Sequence, residues 1–104
     1  MAGEAGHRRV TLSELRLRRA DVYAVAQRYG ISNIRVFGSV ARGEADDDSD
    51  LDLLIDVAPG HGYFDMAGFA LEVGDLLGVL TQVATENGLK ARMRDRIIAE
   101  AVAV

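Results

Sequence analysis

The stretch Phe37-Gly38-Ser39-Val40-Ala41-Arg42-Gly43, followed after an acidic loop by Ser49-Asp50-Leu51-Asp52-Leu53-Leu54-Ile55, constrains the fold more than any other part of the chain. An aromatic and β-branched run enters a Gly-Ser turn, a short helix start follows, and a second apolar run carries carboxylates at alternate positions. Alternate residues of a strand share a face, so Asp50 and Asp52 point the same way with Cα atoms about 6.6 Å apart, from a rise of about 3.3 Å per residue. Hard oxygen ligands at that spacing can share one Mg²⁺ or flank a pair of ions. Without a cation the two charges repel each other and any approaching phosphate. Gly38 lets the backbone come close to a ligand. Ser39 offers a hydroxyl near a helix start, whose unpaired N–H groups favour an anion. Arg42 can add a bidentate phosphate contact, and Ser49 can either bond phosphate or brace the acidic loop.

Each of these residues also has a plainer reading. Gly-Ser turns are common, and exposed strands often carry acids. Asp46, Asp47 and Asp48 read as a solvated loop, and Arg42 can equally be an ion-pair partner of an acid in that loop. His7 and His61 have no partner pattern. The conjunction of strand, Gly-Ser, spacer, Asp-x-Asp and strand carries the argument.

The bulk properties set limits. The chain has 104 residues, which fits one domain over residues 10–104 with a modest core. Hydrophobic residues make up 49% and charged residues 27%, which excludes a disordered or fibrous chain. Net charge is −4, and the acids concentrate in Glu44, Asp46, Asp47, Asp48, Asp50, Asp52 and Asp56. A polynucleotide would be repelled there, so no direct nucleic-acid binding is expected. There is no cysteine, hence no disulfide or thiolate metal site, and a reducing cytoplasm fits. No apolar run approaches the length that spans a bilayer. Residues 1–9 are polar and small, lack the apolar segment of a secretory signal, and are expected to be a frayed lead-in.

Periodicity supplies the elements. Thr11-Leu12-Ser13-Glu14 predicts a capping box, and a helix then runs to Tyr29, stopped by Gly30. Its stripe is Leu12, Leu15, Val22, Ala26 and Tyr29, and Arg16, Arg18, Arg19 and Arg28 form a solvated face. Ile34 to Phe37 is a strand entered through Ser32-Asn33. Leu51 to Val57 is a second, with its odd positions in the core and its aspartates on the other face. Phe64 to Leu77 is an amphipathic helix ended by Gly78. Val79 to Thr85 is a third strand, and Leu89 to Val102 a last helix with Arg96 and Glu100 as an i, i+4 pair. The apolar end Ala101-Val102-Ala103-Val104 serves as an interface for a homo-oligomer or as a helix end tucked on the core. The order of elements gives an α/β domain, a small mixed β-sheet covered by helices.

Gly38-Ser39, the spacer Val40 to Ser49, and Asp50-x-Asp52 between apolar residues resemble the signature of the polymerase beta-like nucleotidyltransferase superfamily. The fuller string Gly-Ser-x-Ala-Arg-Gly…Ser-Asp-x-Asp-Leu is similar to the minimal nucleotidyltransferases of prokaryotes, over nearly the whole chain. The resemblance implies the nucleotidyltransferase fold and transfer of a nucleoside monophosphate, most often AMP from ATP, to a hydroxyl. By that analogy Asp50 and Asp52 are catalytic and hold Mg²⁺, in a one- or two-metal site. Gly38 and Ser39 hold the β- and γ-phosphates, with Arg42 and Ser49 as further nucleotide contacts. Several members of the group are antitoxins that add AMP to a tyrosine of a HEPN-domain toxin, which makes such a toxin the expected protein partner.

The chain departs from that pattern at one position. A third carboxylate is wanted on the next strand, and the string Leu76-Leu77-Gly78 aligns Gln82 with it. A neutral amide neither bridges two metals well nor accepts a proton, and a general base contributes about 10²–10⁴-fold in rate. Glu86 and Asp56 are the nearest acids that can replace it. The alternative expectation is therefore a binding module of the same fold, which keeps the pocket and neutralises its partner by masking.

Overall fold

The computed structural model describes residues 9–104. The expected lead-in over residues 1–9 lies, apart from Arg9, outside the described residues. Helix α1 (Leu12–Leu17) opens on the predicted capping box: the Glu14 N–H donates to Thr11 Oγ1 and the Thr11 N–H to Glu14 Oε1, both at 3.1 Å. The single long helix expected here is two. Arg18 leaves helical geometry at φ −98° and ψ 15°, and α2 (Arg19–Tyr29) follows. Periodicity does not mark the break, because Leu15, Val22, Val25 and Ala26 stay on the buried side across it. Gly30 ends α2 with φ +69°, and a Cβ there would lie 2.5 Å from the His61 ring.

The four arginines are not merely a solvated face. Arg18 pairs with Asp21 and Arg28 with Glu72, while Arg16 and Arg19 donate to the carbonyls of Ala103 and Val104 at 2.8 and 3.0 Å. Tyr29 donates its hydroxyl to Glu72, tying α2 to helix α4 (Tyr63–Leu77).

Strand β1 (Ile31–Phe37) begins earlier than its apolar run suggests. Ser32 and Asn33 belong to an irregularity in the ladder rather than to a lead-in: pairing shifts between Ser32 and Arg35, and Asn33 takes φ +50° while its amide donates to Asp56. Asparagine tolerates that left-handed angle better than most residues. Strand β2 (Leu51–Val57) runs antiparallel to β1 and parallel to β3 (Thr81–Ala84), with α4 as the crossover that a parallel pair requires. Helix α3 (Gly38–Arg42) links β1 to the acidic loop, and α5 (Ala91–Glu100) packs against it.

The last helix is shorter than expected, and its apolar tail leaves it as a strand, with Val104 buried against the core. Ala101 turns extended, and β4 (Val102–Ala103) pairs antiparallel with the outer edge of β1. A Val-Ala-Val run suits a strand better than a helix, and the β1 edge presents unpaired backbone groups. The mixed sheet has the order β3-β2-β1-β4. Its core contains Leu15, Val22, Ile34, Val36, Leu51, Leu53, Ile55, Phe69 and Val73, so the odd positions of β2 face inward as predicted. Leu54, on the aspartate face, is also fully buried. Among the described residues no helix is long and apolar enough to cross a membrane.

Two phenylalanines on α4 test this assignment of the core. Phe69 has no exposure and Phe64 is 87% exposed. In urea denaturation, Phe69→Ala should cost about 3–5 kcal/mol, whereas Phe64→Ala should stay within about 0.5 kcal/mol of the unsubstituted protein.

Candidate active site

Sheet register brings the candidate residues together. Asp52 lies opposite Phe37 on one side and Gln82 on the other, so the centre of the site sits where β1 hands over to α3. Gly38 is the first residue of α3 and takes φ +76°, a region that L side chains avoid. A Cβ built there would sit 2.5 Å from Asp52 Oδ2. The backbone angle favours glycine here, and a side chain would also displace the Asp52 carboxylate.

Asp52 is half-buried, and its carboxyl is pushed above the usual carboxylate range. Burial is the main cause; the negative charges of Asp50 and Glu100 add to it and Arg42 opposes it. Asp50, just before β2, accepts a 2.7 Å hydrogen bond from Gln82 Nε2. Gln82 thus stands where the third carboxylate was expected and is bonded to the first. The Ser39 hydroxyl has no hydrogen-bond partner among the described residues.

The other candidates are spoken for. Arg42 forms ion pairs with Glu44 at 2.9 Å and Glu100 at 2.8 Å, so the ion-pair alternative for this residue holds, with an α5 acid added to the loop acid. Ser49 braces the acidic loop: its Oγ accepts from the Asp46 N–H at 3.0 Å and lies 3.2 Å from Asp46 Oδ1. Asp46 also accepts from the Asp48 N–H at 2.9 Å.

Neither substitute for the third carboxylate reaches the site. Asp56 is four residues along β2 from Asp52, about 13 Å at the rise of a strand. Asp56 and Glu86 both pair with Arg35, at 3.1 and 2.7 Å, and line an open polar pocket with Ile55, Val57, Thr85 and Asn87. Glu100 is the residue that the sequence did not mark. Its spacing suggested a pair with Arg96; instead it accepts from the Gly38 N–H and from Arg42. No local pattern signals this, because the contact exists only once α5 folds back on α3.

Chemically the site offers two carboxylates on one face, a neutral amide beside them and an unpartnered hydroxyl. Among the described residues no three His, Cys, Asp or Glu converge as a metal cage. Two carboxylates together with phosphate oxygens nevertheless form a donor set that suits Mg²⁺, which typically keeps few protein ligands. The raised carboxyl of Asp52 fits the same picture, since a cation would relieve both its burial and its repulsion from Asp50.

Asp52→Asn tests that electrostatic reading. An elevated carboxyl pKa means that the charge costs folding free energy. The cost is absent in acid, appears as pH rises through the ordinary carboxylate range, and is complete above the folded-state value. Without divalent ions the variant should melt higher than the unsubstituted protein at neutral pH, and the gap should close in acid. Thermal melts across that pH range check it.

The sequence matches the nucleotidyltransferase domain family over residues 22–104. Among curated proteins, MJ0435 of Methanocaldococcus jannaschii, assigned as a protein adenylyltransferase, is 31% identical over 83 residues, covering 80% of this chain and 89% of its own. A solved structure assigned as a minimal nucleotidyltransferase superposes with a TM-score of 0.80 at 43% identity, covering 91% of this chain and 97% of that one. A toxin-antitoxin crystal structure with AMP-PNP shares the fold at a TM-score of 0.68 and 13% identity, over 81% of this chain and 69% of that one. With its strand-turn-strand geometry and its match over residues 22–104, the chain belongs to the nucleotidyltransferase domain family.

Proposed function

We propose that this protein transfers AMP from ATP to a tyrosine hydroxyl of a partner HEPN-domain toxin, in a magnesium-dependent reaction, and acts as the antitoxin of that pair. The observation that carries the reading is the position of Asp52 Oδ2 beside Gly38, 2.5 Å from where a Cβ would stand, which brings a carboxylate to the Gly38-Ser39 turn. The similarity to a protein assigned as a protein adenylyltransferase supports transfer to a protein. The shared fold with a toxin-antitoxin structure is compatible with the pairing. In this reading the acceptor hydroxyl arrives on the partner. A cytoplasmic setting supplies the ATP.

In this reaction the acceptor oxygen bonds to the α-phosphorus, the bond from that phosphorus to the α–β bridging oxygen breaks, and the electron pair leaves with pyrophosphate. Asp50 and Asp52 would hold the magnesium, which when bound supplies neutralisation of the phosphate charge. Ser39 donates its hydroxyl to a phosphate oxygen. Gln82 orients Asp50 through its amide but accepts no proton, so the proton of the acceptor hydroxyl passes to water. A second reading rests on that same amide: a module that binds nucleotide and partner but neutralises by masking.

Incubation of the protein with labelled ATP, Mg²⁺ and a HEPN-domain protein encoded beside it separates the two. Label on the toxin, abolished by Asp50→Asn with Asp52→Asn, is the expected result. An unlabelled toxin that is still neutralised would establish masking. Gln82→Asp should raise the transfer rate, by up to about 10²-fold, because it restores a proton acceptor beside Asp50.

A further inference from the structure

Its spacing in sequence pairs Glu100 with Arg96, yet its carboxylate grips both ends of α3. Oε1 accepts from the Gly38 N–H at 3.1 Å. Arg42 Nη1 donates to Oε1 at 2.8 Å and to Oε2 at 3.2 Å. A five-residue helix cannot hold itself in place, since nucleation of so short a segment is unfavourable. Its position comes from whatever holds its ends. Glu44 also holds Arg42, but that side chain is 65% exposed against 21% for Glu100, so the bonds to Glu100 are the better shielded pair. Ser39, whose hydroxyl has no partner among the described residues, sits between the two gripped residues.

We propose that Glu100 is a positioning residue for nucleotide capture: from α5 it fixes the Gly38-Ser39 turn at the height where Ser39 meets phosphate and Gly38 stays against Asp52. Its charge alone would oppose the site, because it adds a negative group near Asp52. What it supplies is geometry, by holding a donor at each end of α3 with one carboxylate. The activity part of the inference rests on the nucleotide-transfer reading; the grip itself does not.

The experiment uses the full chain and its Glu100→Ala and Glu100→Gln variants, with AMP-PNP and Mg²⁺ as the binding probe. Glu100→Ala should weaken AMP-PNP binding about 10–10²-fold, the ratio expected for one lost charge-assisted hydrogen bond. It should raise the KM for ATP while leaving the KM for the acceptor unchanged, and speed amide exchange at Gly38. Glu100→Gln keeps an acceptor oxygen for Gly38 and should recover part of the binding; a merely structural role would instead lower the melting temperature and depress both substrates together. Tighter nucleotide binding in Glu100→Ala would show that the carboxylate blocks the site and would overturn the proposal, as would unchanged exchange at Gly38. Should the unsubstituted protein bind no nucleotide, the transfer reading fails and exchange at Gly38 still decides the grip. If Glu100→Ala does not fold, the same measurements on Glu100→Gln decide it, with no change from the unsubstituted protein as the overturning result.

Discussion

The closeness of Asp52 Oδ2 to Gly38, 2.5 Å from where a Cβ would stand, is the constraint on which the site depends. A side chain at residue 38 would meet that half-buried carboxylate, and its backbone would also have to adopt φ +76°. A protein that served stability alone would not press a charge into that corner: burial and the neighbouring acids both disfavour it. The arrangement makes sense for a ligand that brings positive charge between the carboxylates and negative charge to the turn.

The sheet supports this corner from both sides. β2 is flanked by β1 and β3, so the position of Asp52 is fixed by two ladders at once, opposite Phe37 and Gln82. The inward face of β2 is held by Leu51, Leu53 and Ile55, all fully buried, so a slip of one residue would turn three core residues outward. The acidic face is therefore pinned by the apolar one. At the far end of the same strand, Arg35 gathers Asp56 and Glu86 into an ion-paired cluster, away from Asp50 and Asp52.

Features written into local sequence were legible. The capping box at Thr11 and Glu14, the alternation of β2, the amphipathic α4 and the Gly-Ser…Asp-x-Asp conjunction all follow from spacing alone. Three kinds of feature were not. The break at Arg18 leaves the buried stripe in register, so periodicity passes through it. The pairing of Ala101 to Val104 depends on an open edge of β1, which no local pattern reports, and helix propensity across Ala101 points the other way. Glu100 reaches Gly38 across 62 positions of sequence, and its neighbour Arg96 offers a simpler partner on paper. Long-range contacts between polar side chains and backbone leave no periodic trace, so those parts of the site are set only by the folded chain.

The short strand β4 has a kinetic consequence. It joins β1 through two residues, and Arg16 and Arg19 reach across 87 and 85 positions to hold the carbonyls beside it. Such a closure joins segments far apart in sequence and so carries a large loop entropy, offset by a two-residue ladder, the two arginines and the burial of Val104 in the core. Each opening bares the outer edge of β1, a ready template for a strand from another copy. The clamp of the two arginines therefore acts as a guard against mispairing between chains, and its loss should be felt as aggregation before it is felt as unfolding.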